Sequence, residues 1–194
     1  MSRPRRSRYH HGDLKAALVR SAIELIGERG VTGFSMALVT RRLGVAPSAP
    51  YAHFADRDAL LAAVVVRAYQ VCHAELEPEL AVAAAPGDRI AAMTRAYVRF
   101  AATHQALFDV SYQAGVNKAV HPSVAEAERP ITDAFADCVT ALGGDGRLAT
   151  AVEATAHGYA MLLRGGDFGA DDNAVREAAD GAARAVLALV RGWD

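Results

Sequence analysis

"SMALVTRRLGVAPSAPYAHFADRDALL", Ser35–Leu61, is the stretch whose reading decides the fold. Ser35 can cap a short helix that turns Met36, Val39 and Leu43 to one side. Gly44 then supplies the positive φ that ends that helix in a tight turn. Asp56 is placed to cap a long helix with apolar rows Leu60, Val64, Ala68, Cys72, Leu76 and Leu61, Val65, Tyr69. Between them lie Pro47 and Pro50, three residues apart. A proline at the first helical position loses nothing, because its N–H would have no intrahelical partner. Two placements of this middle helix stay open. If it starts at Pro47, the Pro50 ring faces the Ala46 carbonyl, which is outside the helix. If it starts at Ser48, Ser48 is the cap. In both, the residue before Pro50 is pushed away from helical geometry, so an irregular first turn is expected.

Working outward, apolar residues recur at helical spacing in nearly every segment, and no useful length alternates as a strand would. A first helix fits about Gly12–Glu28, with Leu14, Leu18, Ala22, Leu25 and Ile26 inward and Gly30 as a left-handed cap. After the long helix, Ala85-Pro86-Gly87 is a break and Asp88 is the expected cap of a helix carrying Ile90, Met93, Tyr97, Phe100 and His104 on one face. A short helix around Ala106–Tyr112 follows. Ser123 and Glu126 form an S-x-x-E capping box for a helix in which Pro130 should cause a kink or split off the first turns. Two more fit at Arg147–Arg164 and Asn173–Arg191. The expectation is an all-α protein of about nine helices: a basic arm at 1–9, a helix-turn-helix region at 10–56 and a helical body at 57–194.

The formal net charge of −1 conceals an asymmetry. Residues 1–70 hold eleven Lys and Arg against five Asp and Glu, a net of +6, while residues 71–194 hold ten against seventeen, a net of −7. A basic first third on an acidic remainder suggests a polyanion-binding module joined to something else. The opening "MSRPRRSRY" carries Arg3, Arg5, Arg6 and Arg8 with no acid, and reads as a disordered arm adding salt-sensitive attraction. Cys72 and Cys138 lack metal or redox spacing and read as reduced core thiols. The longest apolar run, Leu60–Val66, is too short to span a bilayer, and no signal-peptide pattern opens the chain. A cytoplasmic protein with no membrane partner is expected.

Two short helices after a longer one, joined by "LGV" and followed by a basic start to the next helix, read as a helix-turn-helix whose second short helix enters a major groove. The segment "HHGDLKAALVRSAIELIGERGVTGFSMALVTRRLGVAPSAPYAHFADRDALLAAV" resembles the DNA-binding domain of the tetracycline-repressor (TetR) family of bacterial regulators. The resemblance is carried by Gly30, Phe34-Ser35, Val39, Arg42-Leu43-Gly44-Val45, Tyr51, His53-Phe54 and Asp56–Leu61, and covers about the first third of the chain. It implies phosphate contacts from Tyr51, His53 and Arg57, an anion-facing helix start at Ser35, a DNA-side position for Arg42, and backbone or minor-groove contact by Arg5, Arg6 and Arg8. Two positions depart from the family pattern: Ala46 stands where Ser or Thr usually caps the recognition helix, and Thr40 where alanine is common. The groove-facing residues would be Pro47, Ser48, Ala49 and Pro50. None can make the bidentate bonds that distinguish guanine or adenine, so direct base readout should be thin.

The resemblance further implies that the acidic body senses a small molecule. Candidate ligand contacts are Met93, Tyr97, Phe100, His104, Phe108, Tyr112, Phe135, His157, Tyr159 and Met161, although side chains at such helical spacing are core residues more often than not. No catalytic residue, cofactor or metal site is expected. Two other readings are an enzyme built on His104 and His157, which no H-x-x-x-H pair, Ser-His pattern or phosphate loop supports, and a helical adaptor that kept the fold but lost DNA binding, against which the Arg-rich arm and Arg57 argue. The last two helices are rich in small residues, among them Ala151, Ala154, Gly158, Ala178, Ala179, Gly181, Ala182 and Ala183. Those serve either a homodimer interface or close packing within the chain. The partners expected are a double-stranded DNA operator, an unknown effector and a second copy of the chain.

Overall fold

The computed structural model describes residues 11–193, so the arm at 1–9 with Arg5, Arg6 and Arg8 lies outside the described residues. Eight α-helices follow one another: α1 His11–Arg29, α2 Met36–Leu43, α3 Arg57–Val82, α4 Pro86–Thr103, α5 Gln105–Gln113, α6 Pro122–Ala141, α7 Gly146–Gly165 and α8 Asp172–Arg191. A short 3₁₀ segment, Ala49–Ala52, lies between α2 and α3. No strand occurs among the described residues, and the all-α expectation holds.

The local signals place most boundaries. Gly30 and Gly44 take φ of 71° and 64°, which only glycine adopts without strain. Ser35 accepts from the Leu38 amide at 3.3 Å and Asp56 from the Ala59 amide at 2.7 Å, so both act as caps. Two other expected caps fail. α4 begins at Pro86 with Ala85 before it, which puts Asp88 inside the first turn. α6 begins at Pro122, and the Ser123–Glu126 capping box does not form. In both cases a proline pre-set for the first helical turn starts the helix ahead of the polar residue. Pro130 lies inside α6 without splitting it.

The prolines of the opening stretch have the largest effect. Neither Pro47 nor Pro50 can donate a backbone bond. The remaining amides of Ala49, Tyr51 and His53 each reach three residues back, to Ala46, Ser48 and Pro50, and Phe54 alone reaches four back, to Pro50. The result is a 3₁₀ turn rather than an α-helix. It starts at neither Pro47 nor Ser48. Ser48 flanks it without a side-chain cap bond, and Ala49 is its first residue.

α3 joins the N-terminal head to the body. Near its start it packs on α1, and further along on α4, α5 and α6. Its apolar residues Leu60, Leu61, Val64, Val65, Ala68 and Leu76 are buried. One apolar cluster runs from Leu18, Leu25, Val39 and Phe54 in the head to Phe100, Leu107 and Phe108 in the body. A second gathers Ile90, Met93, Cys138, Leu148, Val152 and Val186 at the far end. α8 lies against α4 and α7, and Ala178, Ala179, Ala182 and Ala183 are fully buried there. The small residues of α8 therefore serve close packing inside one chain.

Candidate functional site

Two regions concentrate the chemistry. The first is the outer face of the head. Tyr51 is 57% exposed while Phe54, three residues on, is buried beneath the Lys15 ammonium. The core role falls to Phe54, and the Tyr51 ring is left on the surface. Ala46, Pro47 and Ser48 are exposed beside it, Ala49 and His53 are half-buried, and Pro50 is buried. The expectation that Pro50 faces outward is corrected: its ring packs inward because the 3₁₀ turn rotates it from the exposed side. Thr40 is buried too, and its hydroxyl is satisfied by donating to the Ala37 carbonyl at 3.0 Å.

Of the arginines predicted for the DNA side, the two among the described residues, Arg42 and Arg57, are engaged within the chain. Arg57 donates to the Val31 carbonyl at 2.8 Å and the Phe34 carbonyl at 3.4 Å, with its guanidinium over the Phe34 ring. It thereby ties the start of α3 to the loop between α1 and α2. Arg42 reaches Glu28 at 2.5 Å and Glu24 at 3.7 Å, bracing α2 against α1. The Arg42 guanidinium bonded to Glu28 holds that carboxyl below its ordinary range. The family pattern carries no sign of the carbonyl and carboxylate partners of these arginines, which come from other segments.

The second region is a cavity of about 400 Å³ between α3, α4, α5, α6 and α7. Of the residues predicted for it, Met93, Tyr97, Phe100, Phe108, Tyr112 and Phe135 line it. His104 does not. Its Nε2 sits 2.6 Å from Glu75 across the α3–α4 face. His157 stands behind the wall, stacked on Phe108 with its Nδ1 2.9 Å from the Tyr97 hydroxyl. Tyr159 stacks against Phe168 instead, and Met161 is on the outer surface of α7. Helical spacing gave the apolar faces of α4 and α5 correctly. On α7, a residue one position off the inward stripe turns away, which is where Tyr159 and Met161 went astray.

Sequence reading missed the cavity's charged lining: Lys118 from the α5–α6 loop, Glu128 of α6 and Glu153 of α7. Lys118 and Tyr69 both hold Glu128, at 2.5 and 2.9 Å. No short motif joins these residues, which come from three separate elements. Burial raises the pKa of the Tyr69, Tyr97 and Tyr112 phenols, keeping them neutral, and pushes the Cys72 thiol in the same wall up to about 12. Tyr97 also meets Tyr112 at 2.5 Å, so a hydrogen-bonded chain joins α5, α4 and α7.

A helix-turn-helix head on a helical body with its own cavity invites comparison with known proteins. Residues 18–64 match the model described as bacterial regulatory proteins of the tetR family, and residues 90–191 match the tetracyclin repressor-like C-terminal domain. The chain belongs to the tetR family. No curated protein matches it. A protein of unknown function from Rhodococcus sp. RHA1 is 33% identical, aligned over 92% of this chain and 98% of its own, with a TM-score of 0.71. A TetR-like transcriptional regulator from the same organism has the same TM-score at 16% identity, over 96% of this chain and all of its own. FadR of Bacillus subtilis, solved in complex with stearoyl-CoA, has a TM-score of 0.69 at 16% identity, over 91% of this chain and 97% of its own. At such low identity the last two speak for the fold alone. This TetR-family chain is a transcriptional regulator with an N-terminal DNA-binding head.

Proposed function

We propose that this regulator represses transcription in the cytoplasm as a homodimer on a two-fold symmetric operator, and leaves the DNA when a small molecule fills the cavity. The observation that carries the reading is the placement of α5. Phe108, Ser111 and Tyr112 of this helix line the cavity, while α5 also packs on α1 of the head, where Ala106 comes up against Gly27. A ligand that displaces the cavity wall therefore acts on an element the head rests on. Ligand-linked release requires only that the ligand bind one head arrangement better than the other.

On the DNA side, Tyr51 and His53 would hold phosphates, and Ser48 with Pro47 and Ala49 would meet the bases. Arg42 and Arg57 would act mainly by fixing the head's shape. Since Pro47 and Ala49 offer no donors, sequence preference would rest on Ser48, thymine-methyl contact, DNA shape and half-site spacing. For the dimer, α7 leaves Ala154, Gly158, Met161 and Leu162 exposed along one side. Gly158 has open space where a side chain would be, so nothing within the chain requires glycine there. A glycine inside a helix costs about 1 kcal/mol relative to alanine. Close approach of a second chain would account for it.

Gel retardation of the DNA upstream of the protein's own gene, repeated with a small-molecule panel, tests this reading. Retardation at low salt that a panel member reverses is expected. No retardation of that DNA, together with no enrichment from random duplexes, would contradict it.

A further inference from the structure

We infer that the cavity selects an organic cation: an aromatic or aryl-alkyl ammonium, held over the rings with its N–H groups toward Glu153 and Glu128. This rests on reading the cavity as the effector site, and it names the ligand class from the hydrogen bonds already made in the wall.

The hydroxyls that line the cavity have their protons engaged. Thr94 donates to the Ile90 carbonyl, Ser111 to Leu107 and Thr132 to Arg129, each within its own helix. Tyr69 donates to Glu128. With His157 Nδ1 as acceptor, Tyr112 donates to Tyr97 and Tyr97 to His157, which occupies both phenol protons. What these groups present to a ligand is lone pairs. The charges point the same way. Two carboxylates, Glu128 and Glu153, line the cavity against a single ammonium, Lys118. Lys118 is already paired with Glu128 at 2.5 Å, whereas Glu153 has no ion-pair partner among the described residues. Six aromatic rings, Tyr69, Tyr97, Phe100, Phe108, Tyr112 and Phe135, share the lining with aliphatic side chains, and ring faces attract cations. A carboxylate ligand would meet lone pairs and a net negative charge, with a paired lysine as its only cationic partner.

A matched series tests the inference: naphthylethylamine, naphthylethanol and naphthylacetate, titrated calorimetrically into the full-length protein. They share one ring system and differ in the polar end. The amine should bind at least ~10-fold tighter than the alcohol, and the acid weakest, as expected for a charge-assisted contact over aromatic rings. Glu153→Gln should weaken the amine by ~10-fold and leave the alcohol unchanged. Alcohol binding to the variant reports an intact cavity, so a folding defect is not mistaken for lost recognition. The inference is overturned if the acid or alcohol binds as tightly as the amine, or if Glu153→Gln leaves amine affinity unchanged. Absence of binding by all three overturns the inference together with the cavity as a site. Preferred amine binding that fails to release DNA supports the cation preference and instead contradicts the effector reading.

Discussion

Arg164 of α7 grips Asp109 of α5 through two nitrogen–oxygen contacts, Nη1 to Oδ1 and Nη2 to Oδ2, with the guanidinium over the Phe108 ring. The pair clamps the helix that lines the cavity to a helix of the exposed α7 face. Both side chains are largely covered, at 20% and 23% exposure. Arg164→Met should therefore cost about 1–3 kcal/mol, chiefly because Asp109 is left without its partner. Adding Asp109→Asn should restore part of that loss. Urea unfolding of the two variants checks this, and a double variant at least as unstable as Arg164→Met would contradict the clamp.

Tyr51 is exposed and Phe54 holds the core, so Tyr51→Phe should leave thermal stability unchanged. It removes one hydroxyl that would reach a phosphate. DNA affinity should fall about 3- to 10-fold, the size of one ordinary hydrogen bond, and by a similar factor on any sequence, because phosphates carry no sequence information. Anisotropy titrations on two unrelated duplexes measure it. Unchanged affinity on both would remove Tyr51 from the interface.

Gly158→Arg places a long charged side chain on the outer side of α7, where the chain itself leaves open space. Sedimentation should show a monomer with its helical circular dichroism retained. A dimer of wild-type affinity would mean that the second copy docks elsewhere.

Cys72 lies in the cavity wall with its thiol pushed up to about 12, first by burial and then by the charge of Glu75. At about pH 8 only about one thiol in ten thousand would be ionised, and the thiolate is the reactive form. Iodoacetamide should label Cys72 far more slowly than a free cysteine, and an occupied cavity should slow it further. Labelling at the rate of a solvent cysteine, followed by mass spectrometry, would show the wall to be open.

The helices and the caps that formed were legible because each rests on neighbours in sequence, whereas Asp88 and the Ser123–Glu126 box lost to prolines that start their helices earlier. Ser35, Gly44 and Asp56 act on amides or dihedrals within four residues of themselves. The 3₁₀ turn was half legible. Pro47 and Pro50 announced an irregular start, yet the extent of the irregularity depends on which carbonyls the remaining amides find. The partners of Arg42 and Arg57 were out of reach, since Glu28, Val31 and Phe34 become their neighbours only once α1 and the loop after it fold back. The cavity's aromatic rows followed from helical period, but Lys118, Glu128 and Glu153 meet through tertiary packing that no spacing encodes. His104 was misplaced for the same reason: its apolar row was right, and Glu75 across the helix pair determined where the ring went.

Selection of bound duplexes from a random pool by the full-length protein, in parallel with Ser48→Ala, tests the central claim most directly. The account predicts a two-fold symmetric logo with two half-sites about one helical turn apart, and a changed preference at one or two positions for Ser48→Ala. No enrichment, or a single asymmetric site, would contradict the dimeric DNA-binding reading, and an unchanged logo for Ser48→Ala would remove Ser48 from base readout.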